Sequence, residues 1–505
     1  MRVERLTGDR PRWAVIDIGS NSVRLVMYEG PARSPMTVFN EKVLCGLGQR
    51  NQETGALREE AMHDALTVLR RFRAIIDAVQ PQELDIFATA ASRDATNGPQ
   101  FLAAIHSLGL EPTLLPGEEE ARLAALGILS GSPEILDRKN GAIAGDIGGG
   151  SLELSHIDAS HQDFVGQRVS LPLGALRLSA EYTTKPGAAI KHIRKVVEAE
   201  EWLQKTGAKS FYIVGGAWRG LMRIAIERSE YPLDVLDHFT LTRDEMENLC
   251  DWVIGRSVEQ LETLSSVQKR RAPTLPYAAM VMKAVLDAVS PKDVILSSHG
   301  VREGCLFNKL SRDEQSEDPL PILAEHVASF GRGHLRPEAD SLYEFVRPLC
   351  SDPTAEESRL WHAAAHLCNI ATLYQPDEKA EQAARLILSL PFRGLSHRGR
   401  VMLATALYYR HGGSSGDVED TIPIGLIDDR QLTEAQKIGL GMRFAAALDP
   451  DGTAGLGEAT LEVEGDGLRL TLPHRLIGLW GLGPAKRFQR LAALIGKEPV
   501  APYAL

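Results

Sequence analysis

The feature that most constrains this chain is a turn it spells twice. "AVIDIGSNSVRLVMYEG" at 14–30 and "AIAGDIGGGSLELSHID" at 142–158 each carry an apolar run into Asp-Ile-Gly-x-x-Ser. Each then continues as a second strand-like segment, and the two lie about 130 residues apart. Such a pair implies a repeated supersecondary unit whose copies each need a covering layer. Strand patterns at 85–90, 112–115, 164–171, 210–216 and 294–297 alternate with helical spacing at 59–79, 188–206, 275–289 and 301–310. That alternation predicts α/β architecture: two duplicated domains over 1–130 and 131–311, with a cleft between the copies. A charged stretch, "SRDEQSEDP", reads as a linker, and a mostly helical region over 319–411 follows it. "GGSSG" at 412–416 reads as a flexible break before a small α+β domain over 417–505, with a hairpin turning at Gly465-Asp466-Gly467.

Composition removes several function classes. A net charge of −11 over 505 residues disfavours generic nucleic-acid binding, so attraction for an anionic ligand must be local. No 18-residue apolar stretch is present, and "MRVERLTGDRPRW" lacks an apolar signal core, so neither a membrane span nor secretion is expected. Five scattered cysteines without a C-x-x-C pair predict free, buried thiols in a reducing, cytoplasmic setting.

The repeated turn carries chemistry. Asp17 and Asp146 each sit at the end of a strand, followed by Gly19, Ser20, Asn21 and Ser22 or by Gly148, Gly149, Gly150 and Ser151. Glycine permits φ > 0 and close backbone approach, so the N–H groups of such turns can form anion nests. Two facing nests could grip successive phosphates while the aspartates hold a metal ion. One such turn alone equally suits a plain hairpin; the repetition favours function. No P-loop and no complete G-x-G-x-x-G after a strand compete with it. Glu118, Glu119 and Glu120 open a helix, where the macrodipole alone would favour them, although hydrolysis also needs a carboxylate to handle water. Arg93 follows a strand end, Glu153 alternates with Leu152 and Leu154, and Gly215-Gly216 form a strand-to-helix turn. Lys269–Arg271 is either a guide for a polyanion or a solvated helix end, and His362 and His366 read as structural.

With these residues in view, the "DIGSNS" and "GDIGGGS" turns resemble the phosphate loops of the acetate kinase, sugar kinase, Hsp70 and actin superfamily. "TAASRDATNG", "PGEEEARLAALG", "LPLGALRL" and "SSHGVREG" narrow the resemblance to the exopolyphosphatase and guanosine pentaphosphate phosphohydrolase family. That resemblance implies two actin-like (ribonuclease H-like) domains, a degenerate HD-like helical domain and the small C-terminal domain. It implies Glu120 as catalytic carboxylate, with Glu119 its nearest rival, and Arg93 as a phosphoryl-binding cation. Asp17, Asp146 and Glu153 would stand near Mg2+, and Gly215 and Gly216 would form a third glycine motif. A monovalent cation, a homodimer, and polyphosphate or guanosine alarmones as ligands complete the expectation. A non-catalytic alarmone-binding regulator and a sugar or acetate kinase are the other readings.

Overall fold

A computed structural model describes residues 12–49, 54–330, 338–450 and 455–504. The chain divides into two compact units between Glu317 and Asp318.

In the first unit both hairpins form and each seeds a sheet. The first sheet comprises β1 (Trp13–Ile18), β2 (Ser22–Glu29), β3 (Met36–Leu44), β4 (Glu83–Ala88) and β5 (Thr113–Leu114), in the order β3-β2-β1-β4-β5. The second comprises β6 (Ala142–Ile147), β7 (Leu152–Ile157), β8 (Val165–Leu171), β9 (Ser210–Val214), β10 (Thr240–Thr242) and β11 (Asp293–Leu296), in the order β10-β11-β9-β6-β7-β8. The plan repeats: β1 pairs antiparallel with β2 and parallel with β4, as β6 does with β7 and β9.

Among the unit's helices are α1 (Glu59–Val79), α2 (Gly98–His106), α3 (Gly117–Gly131), α4 (Pro186–Glu198), α5 (Gly216–Arg228), α6 (Leu275–Val289) and α7 (Val301–Asn308). Strand alternation sorts them into layers. Ala14, Ile16 and Ile18 face Leu69 and Phe72 of α1 and Phe101 of α2. Trp13 and Val15 face the other way, into a core shared with Leu126 and Leu129 of α3, Leu306 and Phe307 of α7, and Ala142 and Ala144 of β6. Ile143 and Ile147 face Ile193 of α4, Leu221 of α5 and Val285 of α6. The order is therefore helices, sheet, the α3–α7 pair, sheet, helices. Asp17 and Asp146 continue the phase of Trp13-Val15 and Ala142-Ala144, so both acids point toward the space between the sheets.

Two local expectations change. The helix expected over 188–206 ends at Glu198 and resumes for one turn at Trp202–Lys205; the acids Glu198, Glu200 and Glu201 oppose the dipole at its C-terminus. The charged linker contains a short helix, Arg312–Ser316, whose Ser311 and Glu314 form a reciprocal capping box.

The second unit holds the helices Pro319–Phe330, Ala339–Val346, Ala355–His366, Lys379–Ser389, His397–Arg410, Asp429–Leu448 and Leu482–Leu494. Its sheet runs β12 (Thr460–Glu464), β13 (Gly467–Leu472), β14 (Glu498–Ala504). The segment at 412–416 is a fastened turn, against the expectation of a flexible break: Gly413 N–H donates to the Tyr408 carbonyl at 3.0 Å and Tyr408 OH to the Ser414 carbonyl at 3.2 Å. His362 Nε2 stands 2.6 Å from Asp340, with its ring edge-on to His366. Cys45, Cys250, Cys350 and Cys368 are buried, Cys305 is half-buried, and none of the five forms a disulfide. Among the described residues no helix is long and apolar enough to cross a membrane.

Candidate active site

The two repeated turns meet. A Cβ added to Gly149 would stand 3.0 Å from Ser20 Cβ and 2.8 Å from Leu176, and one on Gly150 would stand 3.1 Å from Ser20 Oγ. The glycines are thus required by close approach. The expectation of φ > 0 fails at Gly19, Gly148, Gly149 and Gly150, none of which adopts it. Each turn is braced from behind through its carbonyls. Ser20 O accepts from Gly48 N at 2.6 Å, and Asn21 O from Cys45 and Gly46 N–H at 3.2 Å. Gly148 O and Gly149 O accept from the first N–H groups of the helix Ala175–Tyr182. A trans peptide points its C=O and its following N–H in opposite directions. Those bonds therefore turn the N–H groups of Asn21, Gly149 and Gly150 away from the braces. The block "LPLGALRL" acquires a reason: a Cβ on Gly174 would sit 2.3 Å from the Gly150 carbonyl carbon, so only glycine lets the capping helix reach the turn.

The turns line a cavity of about 520 Å³ together with Asp17, Asp146 and Glu120. Gly215 and Gly216 join the wall at the start of α5. Gly215 adopts φ +102, and a Cβ there would strike the Ile147 carbonyl at 2.4 Å.

Glu120, in the first turn of α3, is 9% exposed and accepts a hydrogen bond from Arg93 Nη1 at 3.1 Å. Burial drives its carboxyl up to about 7, against the pull of Arg93 and with the help of Asp146 and Asp17. Glu119 instead pairs with Arg122 at 2.7 Å and does not line the cavity. Arg93 also donates to the Leu115 carbonyl at 2.9 Å, which fixes its fork beside Glu120. Asp146 rises to about 6 through burial and the nearby Asp17. Asp17 is raised by burial, while Arg302, 3.3 Å away, opposes the rise.

Glu153 is not on the cavity wall. It is 2% exposed, and the hydroxyls of Ser170, at 2.7 Å, and Ser151 donate to it. Burial and the charges of Glu120 and Asp146 push it well above the usual carboxylate range.

Sequence reasoning missed most of the cations. Arg24, Lys42, Arg219 and Arg302 line the cavity, and of the Lys269–Arg271 cluster Arg270 and Arg271 do so. Lys42 is exposed as a residue, yet partial burial and the like charges of Arg271, Arg24 and Arg302 bring its ammonium down to about 8. Burial and Arg302 lower Arg24 to about 10. Beside Arg302, with 3.9 Å between Nε and Oε1, Glu303 accepts from Tyr28 OH at 2.7 Å and from Gly300 N–H at 2.9 Å. Burial would raise Glu303, but Arg302, His299 and these bonds hold it at about 2. One signal for Arg24 was available, because the hairpin register puts it opposite Asp17.

Among the described residues no three His, Cys, Asp or Glu side chains converge on one ion position. Asp17 and Asp146 nevertheless suit Mg2+, which binds through one or two carboxylates and fills its shell with phosphate oxygens and water. The like-charge rise of Asp146 is the strain that a cation would relieve.

Comparison with known proteins identifies a family and a shared fold. The model of the Ppx/GppA phosphatase family matches residues 15–313, and that of the exopolyphosphatase C-terminal region matches residues 343–500. Retrograde regulation protein 2 of Saccharomyces cerevisiae is 28% identical over 447 residues, 80% of this chain and 74% of that protein. Exopolyphosphatase 1 of Mycobacterium tuberculosis is 28% identical over 339 residues, 63% of this chain and 93% of that protein. The crystal structure of an exopolyphosphatase from Cytophaga hutchinsonii shares the fold, with a TM-score of 0.53 at 22% identity over 59% of this chain and 96% of that one.

Proposed function

This chain belongs to the Ppx/GppA phosphatase family, and on that premise we propose that it is an exopolyphosphatase, removing orthophosphate processively from the end of inorganic polyphosphate. The observation that carries the proposal is Glu120. Its carboxyl is held near 7 by burial against Arg93, at the wall of a cavity where two glycine turns touch. A general base works best with a pKa near the operating pH.

In this reading the N–H groups of Asn21, Gly149 and Gly150 grip the terminal phosphoryl oxygens, and Arg93 balances the charge that spreads over them. Glu120 orients a water molecule and takes its proton as the water oxygen bonds to the terminal phosphorus. The bridging P–O bond breaks, and the shortened chain keeps the electron pair as an anion. Asp17 and Asp146 would hold Mg2+, whose chemistry there is neutralisation of phosphate charge. Glu153, behind Glu120, acts through its neighbour. Arg24, Lys42, Arg219, Arg270 and Arg271 hold the following phosphates of the chain, supplying the local attraction that an acidic protein needs. The test is orthophosphate release from long-chain polyphosphate with Mg2+. Wild-type turnover in Glu120→Gln would sink the assignment.

A second reading has the cavity bind a guanosine alarmone, as substrate or as signal; the yeast relative's name is that of a regulation protein and names no alarmone. Values of kcat/KM for polyphosphate and guanosine pentaphosphate, measured side by side, separate the two. Tight alarmone binding without turnover would select the regulator.

A further inference from the structure

A second cavity, of about 380 Å³, adjoins the first. Ser151 belongs to the walls of both cavities. The second is lined by Arg93, which donates to Glu120, and by Ser170, which donates to Glu153. It is therefore bounded by the groups that hold Glu120 and Glu153, while the two acids stand outside its wall. Its rim is built from both repeats: Asp94 follows β4, while Pro172 and Arg177 follow β8. Arg177 Nη2 pairs with Asp94 at 2.7 Å across the rim, and Arg93 Nε stands 3.3 Å from the same carboxylate.

This geometry answers a problem that processive hydrolysis creates. After each cleavage an orthophosphate lies at the inner end of the large cavity while the shortened polyanion still fills the rest. Exit by the same mouth would require the polymer to leave first. We propose that the second cavity is the port through which orthophosphate leaves. Arg93 and then Arg177 receive the anion, and Asp94 regains Arg177 as the anion moves on. Glu118, also on the wall, keeps the port from retaining it. The proposal rests on the exopolyphosphatase reading.

The experiment uses the full-length protein with Mg2+ and long-chain polyphosphate. Steady-state and single-turnover rates are compared for wild type, Pro172→Trp, which obstructs the exposed rim, and Arg177→Gln, with a melting temperature for each. The port predicts that kcat falls about five-fold or more in Pro172→Trp while the single-turnover rate stays at the wild-type value, so that a burst of one phosphate per site appears. It also predicts that added orthophosphate inhibits wild type without competing with polyphosphate, and that Arg177→Gln weakens this inhibition. If Pro172→Trp does not fold, Arg177→Gln and the inhibition pattern decide. Unchanged kcat without a burst in a folded Pro172→Trp, or purely competitive inhibition unaltered by Arg177→Gln, would overturn the port and leave the hydrolase reading standing. Failure of wild type to release orthophosphate from polyphosphate would overturn both.

Discussion

The β1–β2 and β6–β7 hairpins share turn length, strand pairing and register, yet they diverge at one register position. Arg24 lies opposite Asp17, whereas Glu153 lies opposite Asp146. One strand further out the contrast continues, with Lys42 beside Arg24 and Ser170 beside Glu153. The two hairpins keep one backbone plan, while their side chains diverge and make one half cationic and the other acidic. In the proposed reading this gives the substrate a direction. The body of the polyanion lies against Arg24 and Lys42, and only its end reaches Glu120 and the acids behind it.

The comparison can be broken most severely at the acid. Glu120→Gln should lower kcat by roughly 10²- to 10⁴-fold, read as phosphate release per site, with the melting temperature as the folding check. Forcing the turns apart comes next. Gly149→Val puts a branched side chain where Ser20 and Leu176 already stand, and kcat/KM should fall roughly 10²-fold. Making the first hairpin resemble the second, with Arg24→Glu, should raise KM for long-chain polyphosphate roughly ten-fold; pyrophosphate, which is too short to lie along the basic half, should respond less. The smallest effect is on pH. Glu120 must be a carboxylate, so kcat/KM should climb with pH through about 7, and Lys42 must be an ammonium, so it should decline above about 8. Lys42→Arg should leave the acid limb in place and carry the alkaline limb above pH 9, since an arginine keeps its charge there. An unmoved alkaline limb would remove Lys42 from substrate binding.

What could be read in the sequence was whatever short-range pattern encodes. Asp-Ile-Gly-x-x-Ser after an apolar run is local, and so is the helix start at Pro116, so the hairpins, Asp17 and Asp146 were legible in the sequence, whereas only the family resemblance picked Glu120 from Glu118 and Glu119. Arg24, Lys42, Arg219 and Arg302 were not singled out, because strand register and packing of distant segments bring them together. Glu153 shows the limit from the other side. Its alternation with Leu152 and Leu154 suited an outward polar residue as well as a metal-associated acid, but α3 packs on β7, Ser170 of the neighbouring strand β8 stands beside it, and the carboxyl is buried. The reason for the glycines also changed: contact between two turns is a tertiary fact, whereas a positive φ would have been a local one.

That contact has a mechanical consequence. Ser20 lies in the turn of one sheet's hairpin and Gly149 and Gly150 in that of the other, so in the proposed reading the phosphate grip draws donors from both repeats. If the two sheets rotate apart by even a small angle, donors from one side leave a phosphoryl oxygen that donors from the other still hold. In the proposed reading a bound phosphate, by bridging the two repeats, would act as a cross-brace for the angle between them.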